Sequence, residues 1–319
     1  MIYTLTLNPT LDIHMRFENP KLGTLNRARG VRYAPSGKGL NVSSALHAQG
    51  IESKAILPLG GPIGYLLESM IKNLGFETLV IPVKGETRAN TKVIDQNGIL
   101  SEFNGAGAAL SEQEMQACFD GLKNLQSSDT LILSGSLPPG VSSTIYAEMT
   151  EMAKAKGASV YLDASGEALI RGLGAKPNLV KPNKLEAEEL FGTPITTYQE
   201  ALEAARKIRD MGIDTVILSL EDKGAIFLNA PENQAEQVFL VVPPKVTAIT
   251  PSGAGDSVLA GTLYGLQQHW AWEKVAKHAT ATATARVIST SGYPNLARVA
   301  AEFDKVTVLA ESEFPQGSF

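Results

Sequence analysis

The sequence predicts an α/β fold built on a doubly wound, mostly parallel sheet with a small β lid. Short apolar runs recur along the chain, segments with helical spacing separate them, and no shift in composition divides the 319 residues. The runs cover residues 2–7, 55–59, 130–133, 160–162, 179–180 and 216–218. Each is short and apolar enough to be a strand covered on both faces, as parallel strands are. Between them, Leu66, Met70, Ile71 and Leu74 share one helical face, as do Leu202, Ala205, Ile208, Arg209 and Met211.

Two stretches break this alternation, at about 11–34 and 87–104. Neither contains an amphipathic helix. In the second, Thr91, Val93 and Ile94 approach a Gln96-Asn97-Gly98 turn, and residues 99–103 follow as a returning strand, which reads as a β-hairpin. Both stretches are expected to project from the main sheet as a lid on one domain spanning residues 1–319.

Composition narrows the function. Apolar residues make up 44% and charged residues 19%, so the chain is expected to fold, and a net charge of -5 disfavours a nucleic-acid binder. The single cysteine, Cys118, allows no internal disulfide or cysteine-built zinc site, and the four histidines lack metal-binding spacing. The chain runs directly into a strand without a basic leader and has no apolar run of membrane-spanning length. A cytoplasmic location and a small-molecule partner are the expectations.

Three segments can carry chemistry. Residues 251–257 read Pro-Ser-Gly-Ala-Gly-Asp-Ser and are followed by an apolar helical stretch through Val258, Leu259, Leu263 and Leu266. Small residues at a helix start let free N–H groups approach an anion, and the helix dipole favours negative charge there. Asp256 beside that anion could take a hydroxyl proton during phosphoryl transfer; the alternative is an Asp that only complements the dipole. The second segment, Ser36-Gly37-Lys38-Gly39-Leu40-Asn41, also leads into a helix and offers positive charge and an amide. The third, Lys181-Pro182-Asn183-Lys184-Leu185-Glu186, follows a strand; Asn183 and Glu186 form either a capping box or a pair that orients a hydrated Mg²⁺. No G-x-x-x-x-G-K-[ST] occurs, and Val258 stands where a dinucleotide fingerprint needs a third glycine.

These pieces, with Asn8-Pro9-Thr10-Leu11-Asp12, residues 134–140 and Ser219-Leu220 with Gly224-Ala225, occur in an order that resembles the PfkB family of sugar kinases over nearly the whole chain. The resemblance implies a ribokinase-like fold, ATP and Mg²⁺, a phosphorylated ketose as acceptor, and often a homodimer formed through the lids. It also implies roles. Asp256 would be the catalytic base, with Gly253, Ala254 and Gly255 as the anion hole. Asp12, Gly37, Lys38, Gly39, Asn41 and Ser136 would hold the sugar phosphate, Lys181, Ser219 and Gly224 would contact the nucleotide, and Asn183 and Glu186 would accompany Mg²⁺.

Two departures bear on substrate geometry: Ser36 where the family usually has Gly, and Pro251-Ser252 in place of the more usual Thr-Val. In an extended strand Arg88, Asn90 and Lys92 share a face and could add donors for a phosphate. That spacing, with Asn104 after the hairpin, is more similar to fructose-1-phosphate kinases than to tagatose-6-phosphate kinases, although residues 84–88 also look like the latter. Fructose 1-phosphate is the expected acceptor. The alternatives are tagatose 6-phosphate, fructose 6-phosphate and a non-catalytic binder of the same fold.

Overall fold

The computed structural model describes residues 1–250, 252–290 and 292–319, so Pro251 lies outside the described residues. In chain order the elements are β1 (Ile2–Leu5), β2 (Thr10–Arg16), β3 (Gly30–Ser36), α1 (Lys38–Ala48), β4 (Ser53–Leu59), α2 (Gly61–Ile71), β5 (Glu77–Pro82), β6 (Arg88–Ile94) and β7 (Leu100–Asn104). They continue with α3 (Glu112–Gly121), β8 (Thr130–Ser134), α4 (Ile145–Ala155), β9 (Ser159–Asp163), α5 (Gly166–Gly174), β10 (Leu179–Val180), α6 (Lys184–Phe191), α7 (Tyr198–Arg209) and β11 (Thr215–Ser219). The last are β12 (Ala225–Asn229), β13 (Gln237–Val242), α8 (Ala254–Gln267), α9 (Trp272–Val287), α10 (Leu296–Phe303) and β14 (Thr307–Ala310).

Among the described residues, ten strands form the main sheet in the order β14-β13-β12-β11-β10-β9-β8-β1-β4-β5. From β5 across to β11 neighbouring strands are parallel, and the sheet ends in the antiparallel strands β12, β13 and β14. Alternate side chains face opposite layers. Leu131 and Leu133 pack in the core with Tyr146, Leu169 and Leu202, whereas Ile132 packs with Val42, Leu259, Val275 and Val299 on the other side. This double covering makes the expected doubly wound α/β architecture, and it explains why these strands read as continuous apolar runs. Cys118 is buried in the first of these layers. Burial pushes its thiol up to about 12, which leaves it an inert packing group. No helix among the described residues is long and apolar enough to cross a membrane.

The lid is a separate sheet of four strands, in the order β3-β2-β6-β7. β2 and β6 run parallel with Asp12 opposite Asn90 and His14 opposite Lys92, while β3 and β7 close the two sides antiparallel. The turn between β6 and β7 forms as its composition predicts. Asp95 Oδ1 accepts from the amides of Asn97 and Ile99, both at 2.8 Å, and Gly98 supplies the left-handed residue at φ 82°.

Candidate active site

The C-terminal ends of the central parallel strands, the starts of α1 and α8, and the inner face of the lid converge on one region, where ligands of open α/β sheets bind. α8 begins abruptly. Gly253 caps it in the left-handed conformation, φ 85°, and a Cβ there would stand 3.0 Å from the Tyr293 hydroxyl. Any side chain at 253 would therefore meet both backbone strain and a neighbour.

Asp256 lies in the first turn of α8 and is buried. Its Oδ2 accepts from Asn41 Nδ2 at 2.8 Å, a contact that joins α1 to α8. Burial, and then the charge of Asp163, push this carboxyl above its usual range, against the pull of Lys38, the Asn41 amide and Lys181. A carboxyl so placed can accept a proton from a hydroxyl near neutral pH. The amides at the start of α8 have no partner within the helix and can receive an anion.

Asp163 carries as much of the site as Asp256. It ends β9, is 1% exposed, and receives Lys38 Nζ at 2.8 Å on Oδ1 and Lys181 Nζ at 3.0 Å on Oδ2. The second contact is an ion pair rather than a well-directed hydrogen bond. Burial alone would raise the Asp163 carboxyl, but Lys181 and Lys38 outweigh it and hold it below the ordinary range. Burial would likewise lower the Lys38 ammonium, yet Asp163 and Glu186 hold it above its usual value. Asp163 thus fixes two ammonium groups near the α8 N-terminus, and Lys181 Nζ sits 3.1 Å from where a Cβ on Gly255 would stand. The sequence reading did not single out Asp163. The available signal was a carboxylate at the C-terminal end of a buried parallel strand.

The glycines of the first loop have a packing reason as well. A Cβ on Gly39 would meet Thr6 Oγ1 at 2.6 Å and Leu5 O at 3.0 Å, so only glycine lets α1 seat against β1. Gly37 precedes α1 at φ 132°. Lys38 is already the first residue of the helix, so Gly39 and Asn41 lie within its first turn.

From the lid, Asp12, Asn90 and Lys92 are all buried. Lys92 Nζ contacts Asp12 Oδ2 at 3.0 Å and Glu102 Oε1 at 3.4 Å, and donates to Ser252 Oγ at 2.7 Å, tying lid to body. Asp12 Oδ1 is buried without a hydrogen-bond partner, an acceptor suited to a sugar hydroxyl. Asn90 Oδ1 accepts from the Gly105 amide at 3.2 Å. Arg88 NH1 donates to Gly105 O at 3.0 Å and NH2 to Asn8 O at 2.9 Å, bracing the base of the lid. Ser136 Oγ accepts from Asn8 Nδ2 at 3.3 Å.

Asn183 and Glu186 close a capping box at the start of α6: Glu186 N donates to Asn183 Oδ1 and Asn183 N to Glu186 Oε2, both at 2.8 Å. The cap uses the only side-chain oxygen of Asn183 and one of the two on Glu186. Burial pushes the Glu186 carboxyl up, opposed chiefly by Lys38. No group of three acidic or histidine side chains that could cage a metal occurs among the described residues. A Mg²⁺ ion here would keep most of its shell as water and phosphate oxygens, which is how this ion is usually held and is compatible with a single buried carboxylate. Ser219 forms an isolated bridge with Asn183. Gly224 follows at φ 104°, where a Cβ would collide with Val241 O at 2.3 Å. Both therefore shape the strand ends beside Asn183.

A cavity of about 340 Å³ opens under the lid, lined by Asp12, Ser36, Asn41 and Ser252 among others. Its volume suits a small polar metabolite. Fold and site together define an α/β phosphotransferase that acts on a small-molecule alcohol. Residues 5–297 match the pfkB family carbohydrate kinases, and the chain belongs to that family. It is 35% identical over 289 residues to the 1-phosphofructokinase of Bacillus subtilis (strain 168), covering 91% of this chain and 93% of that one. The 1-phosphofructokinase of Escherichia coli (strain K12) is 31% identical over 312 residues, covering 95% and 97%. Among solved structures, phosphofructokinase-2 from Escherichia coli in complex with fructose-6-phosphate superposes with a TM-score of 0.87 at 29% identity, covering 95% of this chain and 98% of that one.

Proposed function

We propose that this carbohydrate kinase transfers the γ-phosphoryl group of ATP to the 6-hydroxyl of fructose 1-phosphate. The observation that carries the mechanism is the buried Asp256 carboxyl, oriented by Asn41 at the N-terminus of α8. The relatives named 1-phosphofructokinase, matched along most of both chains, support the choice of acceptor.

Asp256 accepts the proton of the attacking hydroxyl, and its raised affinity for that proton makes it a competent base near neutrality. The amides of Gly253, Ala254 and Gly255 receive negative charge on the transferring group. Lys181 adds positive charge over the same helix start, and Lys38 stands on the other side of Asp163. Asp12 and Asn41 orient the sugar from the lid and from α1, with Gly37 and Gly39 setting how closely that loop approaches. Ser219 and Gly224 border the nucleotide. Mg²⁺, when bound near Asn183 and Glu186, would offset charge on the triphosphate.

The test is a panel of fructose 1-phosphate, fructose 6-phosphate and tagatose 6-phosphate with ATP. The expected result is the highest kcat/KM for fructose 1-phosphate, and a higher value for either of the others reassigns the acceptor. Chelation provides a second check. Excess EDTA should abolish turnover, with recovery on adding Mg²⁺ or Mn²⁺, because the charge on the triphosphate and the transferring group must be offset. Full turnover in chelator would remove the ion from the reading.

We also propose that two copies pair through the outer faces of their lids. Val31, Tyr33 and Phe103 are 49%, 53% and 53% exposed. Their registry with Met15, Ile13 and Thr91 puts them on the face opposite Asp12 and Lys92.

A further inference from the structure

Strand β6 enters the lid from a turn that is clamped to the start of α2. Gly60 caps α2 and has no side chain to satisfy the first amides of the helix, and Pro62 in its first turn has no N–H. The need is met from outside the helix. Glu86 Oε1 accepts from the amide of Ile63, the third residue of α2, at 2.8 Å, where the helix dipole favours a carboxylate. The next residue, Thr87, is buried and bonds Gly60 twice. Its Oγ1 accepts from the Gly60 amide at 3.0 Å, and its own amide donates to Gly60 O at 2.9 Å.

The fit is close enough to require glycine. Gly61 sits at φ 67°, and a Cβ there would collide with the Glu86 carboxylate, as one on Gly60 would with Val83 O and Gly85 O. A Cβ on Gly64 would stand 2.9 Å from Thr87 Oγ1. α2 belongs to the body: its Leu67 and Ile71 are buried in one cluster with Leu40 of α1 and Leu57 of β4. Glu86 itself is exposed and lines neither the cavity under the lid nor the small space of about 10 Å³ beside Arg88.

From this joint the constraint passes to the other lid strands. Arg88, the first residue of β6, donates to Asn8 O just before β2 and to Gly105 O just after β7. Asn8 Nδ2 in turn donates to Ala106 O at 3.1 Å. Further along, β6 holds Asn90 opposite Asp12 and Lys92 opposite His14, and Asp12 lines the cavity. The first turn of α2 therefore helps to set where Asp12, Asn90 and Lys92 stand over that cavity.

We propose that Glu86 and Thr87 are positioning residues for the acceptor: they clamp the root of β6 to the N-terminus of α2 and so hold the inner face of the lid at the distance from α1 and α8 that the sugar requires. Neither touches the sugar. This rests on reading the chain as a kinase of a phosphorylated ketose that binds under the lid.

Glu86→Ala removes the bond to α2 from an exposed position and should leave the fold intact. It should raise the KM for the preferred ketose phosphate by about 5- to 10-fold, the order of a lost helix cap, with the KM for ATP changed less than about 2-fold. Thr87→Val should do the same. Glu86→Gln and Thr87→Ser keep an acceptor oxygen and should retain at least about half of the wild-type kcat/KM. Hydrogen exchange, read without any substrate, should quicken at the amides of residues 88–94 in Glu86→Ala and stay unchanged in β8. Unchanged exchange at 88–94 would overturn the clamp whatever the acceptor is. A lower thermal midpoint with both KM values within about 2-fold of wild type would reduce the pair to a helix cap and overturn the positioning role. So would a parallel rise of both KM values, or a Glu86→Gln variant as impaired as Glu86→Ala. If the wild type prefers fructose 6-phosphate or tagatose 6-phosphate but Glu86→Ala still raises the KM for that sugar alone, the joint stands and the acceptor proposed above falls. A wild type that phosphorylates none of the three overturns both.

Discussion

Asp256→Asn is expected to lower kcat by about 10²- to 10⁴-fold, the usual cost of losing a general base, while raising the thermal midpoint of the ligand-free protein. The two effects share one cause. The side chain is buried, and burial is the main reason its carboxyl holds a proton more tightly than an unfolded Asp would. A group whose folded value is raised contributes its full stability below the unfolded value, and that contribution is lost as pH rises through the folded value. At pH 7 the ionised form is therefore a burden on the fold. The amide is nearly isosteric, keeps an oxygen for Asn41 Nδ2, and carries no charge. The gain in midpoint should widen as pH rises and vanish below about pH 4, where both states of the wild type bind the proton. Wild-type turnover should fall as pH drops through the raised value, and residual turnover of the variant should lack that limb. Retention of more than about a third of kcat would reduce Asp256 to a helix-start residue.

Gly255→Val is expected to reduce single-turnover phosphoryl transfer at saturating ATP by about 10²-fold or more, the loss typical of removing an oxyanion donor. Gly255 does not have a left-handed backbone, and substitution at an early helical position is tolerated by the fold. The consequence lies outside the helix. A Cβ at 255 would stand 3.1 Å from Lys181 Nζ, and the branched carbons beyond it would displace that ammonium and cover the helix-start amides. Gly255→Ala should give a smaller loss, since the far end of Lys181 can yield by a few tenths of an ångström. A folded, fully active Gly255→Val protein, with folding checked by circular dichroism, would remove the anion hole from the mechanism.

Much of the fold was legible because it follows from local patterning. The runs at 55–59, 130–133, 160–162, 179–180 and 216–218 fall within or coincide with β4, β8, β9, β10 and β11, since strands covered on both faces leave an unbroken apolar signature. The lid strands were visible as interruptions of that rhythm, within a residue or two of β2, β3, β6 and β7. The antiparallel extension by β12, β13 and β14 was not anticipated. Thr307–Ala310 has two exposed and two half-buried residues, and a four-residue strand of that kind has little period to detect.

The start of α8 was readable because small residues and Asp256 sit together in sequence. Asp163 was not, because its partners lie 125 residues away at Lys38 and across the next strand at Lys181. The capping box of Asn183 and Glu186 shows a different limit: the same two residues satisfy a local rule and stand near the ion's expected place, and spacing alone cannot separate those uses.

The bond between Asn41 and Asp256 spans 215 residues of chain. During synthesis β1, α1, β4 and the lid strands can emerge and begin to associate long before α8 exists, yet none of that structure contains the base. Contacts of such sequence separation form slowly because a large loop must close before they reward the chain. Catalytic competence thus cannot precede the docking of α8 on α1. A nascent or truncated chain lacking α8 is, by construction, unable to consume nucleotide, however much of its sheet has already assembled.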